Sequence, residues 1–261
     1  MSATAAQPLA RQVLVLTRRL LEELLAEPAP LLGTVLLAPG YLAFQDEVFG
    51  RVAAHAHGIH GRYLTFIVPG AVLVATIAAT NAGFAVLRDR NDGYLERLLT
   101  MPLSRVAIVA APLLFGAAFA VCNAATVLAV AAVLGSTPVT GIAGIGAMLA
   151  IAALSGLSIA GLLVTVALLT SRIELVQLAD LACFPLLFLS PLMLPRQDLG
   201  GWLQLVTAVN PTTYGVEGLR AVMREGWGLA QLWPAFAAGT ACAGGMLVLA
   251  ALAARRVTAL R

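Results

Sequence analysis

An all-α, polytopic membrane protein is the fold class that this 261-residue sequence predicts, on three observations. Hydrophobic residues make up 60% of the chain and charged ones 11%, for a mean hydropathy of +0.92, far more apolar surface than a soluble domain of this size needs. Several apolar runs exceed the roughly 18–20 residues that cross a hydrocarbon core about 30 Å thick, so the spans are helices and not barrel strands. The charges collect between those runs, most densely from Arg88 to Arg105. A net charge of +3 and a pI near 9.1 then reflect arginines at a membrane face, not a nucleic-acid surface.

Residues 8 to 27 set Leu9, Val13, Leu16, Leu20 and Leu24 on one helical face and Arg11, Arg18, Arg19 and Glu22 on the other, an amphipathic helix lying in the interface. Segment 1–28 is thus an interfacial element and 29–261 a domain of six transmembrane helices. Pro28 and Pro30 end the first helix. The first span runs from about Ala29 to Phe44, irregular near its outer end at Pro39-Gly40, and a polar loop follows from Gln45 to Arg62. The second span is Tyr63 to Val86, the third Val106 to Leu134 and the fourth Gly141 to Thr170. In the fourth, Ala152, Gly156 and Ala160 form a small-residue ladder that lets another helix approach. The fifth, Leu175 to Leu194, is interrupted by Pro185 and Pro191. Segment 195–228 is too polar to cross and predicts one or two short extracytoplasmic helices before the sixth span, Leu229 to Ala253.

Six spans put both termini on one side. With the termini in the cytoplasm, eleven arginines lie inside and five outside, the expected positive-inside bias. The Arg88 to Arg105 stretch is then cytoplasmic. Within it Tyr94, Leu95, Leu98, Leu99 and Met101 recur at helical spacing while Asp92, Glu96 and Arg97 take other faces, predicting a short amphipathic helix. Asn91 or Asp92 is its expected N-cap, Pro102 drives Met101 out of helical geometry, and Ser104 is the expected cap of the third span.

All sixteen basic residues are arginine. A standard P-loop needs a lysine to reach the terminal phosphates, so this chain holds none and is not itself expected to be an ATPase. Cys122, Cys183 and Cys242 sit in apolar runs and read as buried thiols. The N-terminus shows no signal-peptide pattern.

Read from Arg90, the run RNDGYLERLLTMPLSR resembles the signature of the ABC-2 type permeases, the membrane subunits of a class of ATP-binding-cassette exporters. The matching positions are Arg90, Gly93, Leu95-Glu96, Leu98-Leu99, Pro102 and Ser104-Arg105, with Tyr94 where a Thr is more usual. The stretch from Ser190 to Arg220 resembles the family's region after the fifth span through Leu194-Pro195, Trp202-Leu203, Asn210-Pro211, Tyr214, Glu217 and Arg220. The resemblance implies a homodimeric permease in a bacterial plasma membrane, with a separate cytoplasmic ATPase carrying ATP and Mg on each copy and no cofactor on this chain. It further implies that 88–105 is a coupling helix seated on that ATPase. Glu96, Arg90 and Arg97 are the candidates for cross-subunit ion pairs, on a helix whose apolar face docks.

Asp180 lies about 9 Å inside the fifth span. A carboxylate there costs about 2.5–3.5 kcal/mol, so it should face the bundle or water, as part of a transport path or as a structural group. Asn81 and Asn123 are further path candidates, although bonding between helices, shared with Ser155 and Ser158, is the simpler expectation. Glu217 and Arg220 read as a local ion pair. His55, His57 and His60 read as a solvated loop, and no metal site is expected. Low aromatic content, 6%, favours a hydrophobic or amphipathic small-molecule cargo, a drug, antibiotic or lipid, over a lipid-linked polysaccharide. An intramembrane enzyme or a channel is the reading from another class. The enzyme lacks an acid–base or HExxH constellation, and a channel leaves the cytoplasmic helix without a purpose.

Overall fold

The computed structural model describes residues 8–53, 63–192, 196 and 200–259. His55, His57, His60, Leu194 and Pro195 lie outside them. The regular structure among the described residues is helical: α1 (Leu9–Ala26), α2 (Pro28–Ala53), α3 (Tyr63–Ala75), a 3₁₀ turn (Thr76–Thr80), α4 (Asn81–Asn91), α5 (Tyr94–Thr100), α6 (Arg105–Val133), α7 (Gly141–Leu169), α8 (Ile173–Phe188), α9 (Trp202–Val209), α10 (Pro211–Arg224) and α11 (Leu229–Ala259). Among the described residues, four segments are long and apolar enough to cross a membrane: Tyr63–Asn91, Arg105–Val133, Gly141–Leu169 and Leu232–Arg256. The first comprises α3, the 3₁₀ turn and α4.

Two expected spans take other forms. Helix α2 runs unbroken through Pro39 to Ala53, so the loop expected from Gln45 is helical at its start. Its polar end is satisfied inside the helix: the Gln45 side chain is buried and its amide donates to the Tyr41 hydroxyl at 3.3 Å. Helix α8 has 16 residues, about 24 Å, and stops three residues before Pro191.

Helix α7 lies at the centre, because glycines let its neighbours press against it. A Cβ on Gly83 of α4 would stand 2.4 Å from the Leu163 Cβ, one on Gly116 of α6 2.6 Å from the Ala160 Cβ, one on Gly156 2.4 Å from the Ala120 Cβ, and one on Gly161 2.5 Å from the Met246 Cβ of α11. The predicted ladder of Ala152, Gly156 and Ala160 is buried on this surface. Around it lie two apolar clusters, one with Phe66, Leu73, Met148 and Leu219, the other with Leu87, Leu113, Phe115 and Leu163. Of the thiols, Cys183 is buried and Cys242 half-buried, but Cys122 is exposed on the outer surface of α6, contrary to expectation.

Helix ends in an apolar setting leave carbonyls that need donors, and neighbouring elements supply them. Among its described residues, segment 195–228 holds two short helices, α9 and α10. Asn210 caps α10 by accepting from the Thr212 N–H at 3.0 Å, and its amide donates to the Leu186 carbonyl at the end of α8 at 2.6 Å. The Tyr214 hydroxyl donates to the Ala208 carbonyl at 2.8 Å, closing α9. Arg220 does not close onto Glu217. Its guanidinium donates to the Pro191 carbonyl at 2.8 Å and stacks over the Phe66 ring at 4.0 Å, because the turn after α8 leaves carbonyls that a cation satisfies. Burial, with Arg224 adding to it, pulls the Arg220 pKa down to about 10, so it stays charged at neutral pH. In turn the Val139 N–H and the Thr140 hydroxyl donate to the carbonyls of Met223 and Val222 at the end of α10.

Gly83→Ala is expected to destabilise the protein by about 1–3 kcal/mol, since α4 must back away from the α7 backbone. Gly146→Ala, with open space around it, should leave stability unchanged or raised, and denaturant unfolding in detergent compares the two. Asn210→Ala should cost about 1–2 kcal/mol in the same assay, for a lost cap and an orphaned carbonyl.

Candidate functional site

The charged stretch from Arg88 to Arg105 is divided between three elements. Arg88, Asp89, Arg90 and Asn91 complete α4. Asp92 and Gly93 form a turn, with Gly93 at φ 70° in the left-handed region that glycine adopts without strain. Only Tyr94–Thr100 makes the short helix. Gly93 is its N-cap, in place of the expected Asn91 or Asp92, because the chain reverses direction there. Met101 is extended ahead of Pro102, as expected. Ser104 precedes α6 without a side-chain cap; instead its N–H donates to the Gln12 Oε1 of α1 at 2.8 Å.

Helix α5 turns its apolar residues inward. Leu95 and Leu98 are buried with Leu20, Leu87 and Ile108, while Tyr94 and Leu99 are half-buried. Glu96, Arg97, Thr100, Met101, Pro102 and Arg105 are exposed. The face α5 offers outward is therefore polar, which corrects the expectation of an apolar docking face: the leucines are spent on holding the helix to the body.

Three arginines fix this arrangement. Arg19 of α1, expected on the water-facing side, turns inward and grips both oxygens of Asp89, one at 3.1 Å and the other closer. It also donates to Glu23 at 2.6 Å and lies over the Tyr94 ring at 3.7 Å. Burial alone would lower its pKa, but the hydrogen bonds and charges of Asp89 and Glu23 outweigh burial and hold it above the ordinary arginine value. Tyr94, the departure from the usual Thr, thus supplies the aromatic face under the cation. Arg90 donates to the Leu168 carbonyl and, at 3.3 Å, to that of Ala167, closing the end of α7. It is committed within the chain, which removes it from the set expected to pair across subunits. Arg88 pairs with Glu27 at 3.2 Å in the open. Helix α1 also docks on α6 through the buried Thr17, whose hydroxyl donates to the Ala111 carbonyl at 3.2 Å. Together α1, α4, α5, α6 and the end of α7 form one mounted unit. Asp89 was not singled out from sequence; its signal was a lone acid among the arginines closing an apolar run.

The path candidates are not brought together. The Asn81 amide donates to the Ala78 carbonyl in the 3₁₀ turn just before α4 at 2.9 Å, and the Asn123 amide to the Phe119 carbonyl of its own helix at 3.0 Å. The Ser158 hydroxyl does likewise to Leu154 at 2.9 Å, so bonding between helices is not what these groups do. In helices packed this closely, the nearest acceptor is the preceding turn. Asp180 is half-buried on α8 facing the Thr80 side chain, and its Oδ1 is buried without a hydrogen-bond partner among the described residues. Near it, a cavity of about 160 Å³ is lined by Leu73, Thr76, Ser158, Cys183, Thr212 and Cys242, and by none of the three path candidates.

A family model described as ABC-2 type transporter matches residues 11–223, from α1 through α10. A putative transport permease, ycf38, of Porphyra purpurea is 25% identical over 217 residues, 81% of this chain and 74% of its own length. A probable doxorubicin resistance ABC transporter permease protein, DrrC, of Mycobacterium tuberculosis is 26% identical over 229 residues, 86% and 81% of the two chains. A daunorubicin resistance ABC transporter permease protein, DrrB1, of Streptomyces coeruleorubidus is 25% identical over 208 residues, 79% and 71%.

Arg19→Ala and Asp89→Ala, singly and together, should give a coupling energy of about 1–3 kcal/mol in a double-mutant cycle of unfolding in detergent. Each single variant should also make the 92–104 backbone more open to protease.

Proposed function

Because the chain belongs to the ABC-2 type transporter family, we propose that it is the permease subunit of an ABC exporter, driven through α5 by a separate ATP-binding subunit. The observation that carries this reading is the mounting of α5. A seven-residue helix is too short to be stable alone, yet here both its ends and its inner face are tied to the body, and Glu96 and Arg97 remain outward. That is what a transmission element requires: stiffness toward the permease and charge toward the partner, to set register. Closure of two ATPases around ATP and Mg would move α5 and α1 as rigid bodies with α4 and α6.

In this reading α2, the α3–α4 segment, α6, α7, α8 and α11 are six spans, and the termini and α5 are cytoplasmic in a bacterial plasma membrane, as the eleven-to-five arginine bias supports. Two copies pair, each with its own ATPase. Helix α8, short and with Leu175, Leu178 and Leu181 exposed, is the surface we assign to pairing. Asp180 on that helix and the adjacent 160 Å³ cavity serve the cargo, which we take to be a hydrophobic or amphipathic small molecule. The names of the two bacterial relatives support that class. A lipid-linked polysaccharide is the alternative cargo, which the mostly apolar lining favours less.

The test is ATP hydrolysis by the chain co-purified with its ATPase. Glu96→Ala and Arg97→Glu should each lower ATPase binding or cargo-stimulated hydrolysis by about fivefold or more, the loss of roughly 1 kcal/mol or more at an interface. Unchanged binding and stimulation, in protein that remains folded, would show that α5 is not the joint.

A further inference from the structure

The cavity of about 160 Å³ is walled by α3, α7, α8, α10 and α11, and among the described residues no charged side chain lines it. A hydroxyl has one hydrogen to donate and two lone pairs to accept with, so where that hydrogen goes decides what the group can offer a guest. On this lining most hydrogens are spent. The Thr76 hydroxyl donates to the Leu73 carbonyl at 2.6 Å, that of Ser158 to the Leu154 carbonyl at 2.9 Å, and that of Thr212 to the Asn210 Oδ1 at 2.7 Å. The Cys183 thiol donates to the Ala179 carbonyl at 3.4 Å. Backbone N–H groups add nothing: Pro211 has none, that of Thr212 goes to Asn210, and the other lining residues lie beyond the first turn of their helical segments. Among the described residues, Ser155 and Cys242 are the lining groups that keep a hydrogen without an acceptor.

We infer that this cavity selects an apolar molecule that carries a hydrogen-bond donor and no negative charge. An anion placed there finds no cation and too few donors to replace its water, and a charge left unpaired in an apolar site is the costliest group to bury. A guest O–H or N–H instead exchanges water for the remaining lone pairs of Thr76, Ser158 or Thr212 and keeps its hydrogen bond. Asp180 extends the pattern. It precedes Cys183 by one turn of α8 and faces Thr80, one turn along from Thr76, and its buried Oδ1 is a further acceptor without a partner among the described residues. Leu73, Ile159, Leu162, Leu187 and Met246 supply the apolar walls for the body of the guest. As a statement about exported cargo, this selection rests on the permease reading; the binding preference does not.

The full chain, purified in a neutral detergent, is photolabelled at neutral pH with aryl trifluoromethyl-diazirines that differ only in the para group: hydroxyl, aminomethyl, methoxy or carboxylate. Labelling of peptides covering 155–162 and 183–187 is read by mass spectrometry against the peptide holding Cys122, which is exposed on the outer surface of α6 and corrects for partition into detergent. The hydroxyl and aminomethyl probes should label the cavity peptides about three- to tenfold more than the methoxy probe, the effect of one net hydrogen bond, and the carboxylate should stay at the level of the surface peptide. A lead for the hydroxyl probe assigns recognition to the lone pairs on the lining; a lead for the aminomethyl probe that Asp180→Asn removes assigns it to Asp180. Thr76→Val, Ser158→Ala and Thr212→Val combined, in protein with an unchanged melting temperature, should bring the hydroxyl and methoxy probes level. Equal labelling by those two probes in the unaltered chain, entry of the carboxylate, no labelling above the surface peptide, or a hydroxyl preference that survives in the folded triple variant would each overturn the selection. The assay contains no ATPase and measures no transport, so its failure and that of the coupling test are told apart.

Discussion

Helix ends that stop in an apolar setting leave carbonyls without water, and the irregular parts of this fold are arranged to answer that constraint. Helix α8 ends early, and Asn210, Thr212 and Arg220 from the following segment donate to the carbonyls it leaves. Helix α7 ends where Arg90 reaches it, and α10 ends where the turn before α7 donates to it. The cost of an unmet carbonyl is about 1–3 kcal/mol, larger than most single packing contacts, so these polar residues stabilise by avoiding a penalty more than by adding attraction. Asn210 and Tyr214 around α10 are thereby accounted for without assigning them to cargo.

Close packing against α7 has a second effect. With Gly83, Gly116, Gly156 and Gly161 at backbone-to-backbone distances, α4, α6 and α11 have little freedom to slide over it. A load applied to α5 therefore passes into α4 and α6 together. The Arg19 joint adds α1 to that unit, and the half-buried setting makes the joint stronger than an exposed pair such as Arg18–Glu22. The weakly packed member is α8, with its exposed leucines, whereas the 3₁₀ turn facing Asp180 is buried throughout even though its helical geometry departs from regular.

Much of this was legible in the sequence because it depends on local periodicity and composition. The amphipathic α1, the short α5, the extended Met101 before Pro102, the small-residue ladder of α7 and the two helices within 195–228 all follow from spacing and residue type. Caps were less legible. Asn91 and Asp92 are suitable capping residues, but Gly93 takes that place because the chain reverses there, and Ser104 holds the N-cap position of α6 without a side-chain cap while its own N–H donates to the distant Gln12. The exposed side of α5 was also misjudged. A pattern of leucines reveals that a helix has an apolar face, but not whether that face meets a partner or the chain's own body.

The sequence by itself determined the class of molecule and the family it belongs to, since apolar run length and motif order are properties of neighbouring residues. Tertiary structure alone decided that Arg19 grips Asp89 across 70 positions of chain and stacks on Tyr94, and that Arg90 closes α7. A cation is satisfied by whatever acceptor the fold brings within about 3 Å, and that acceptor has no fixed spacing in the chain.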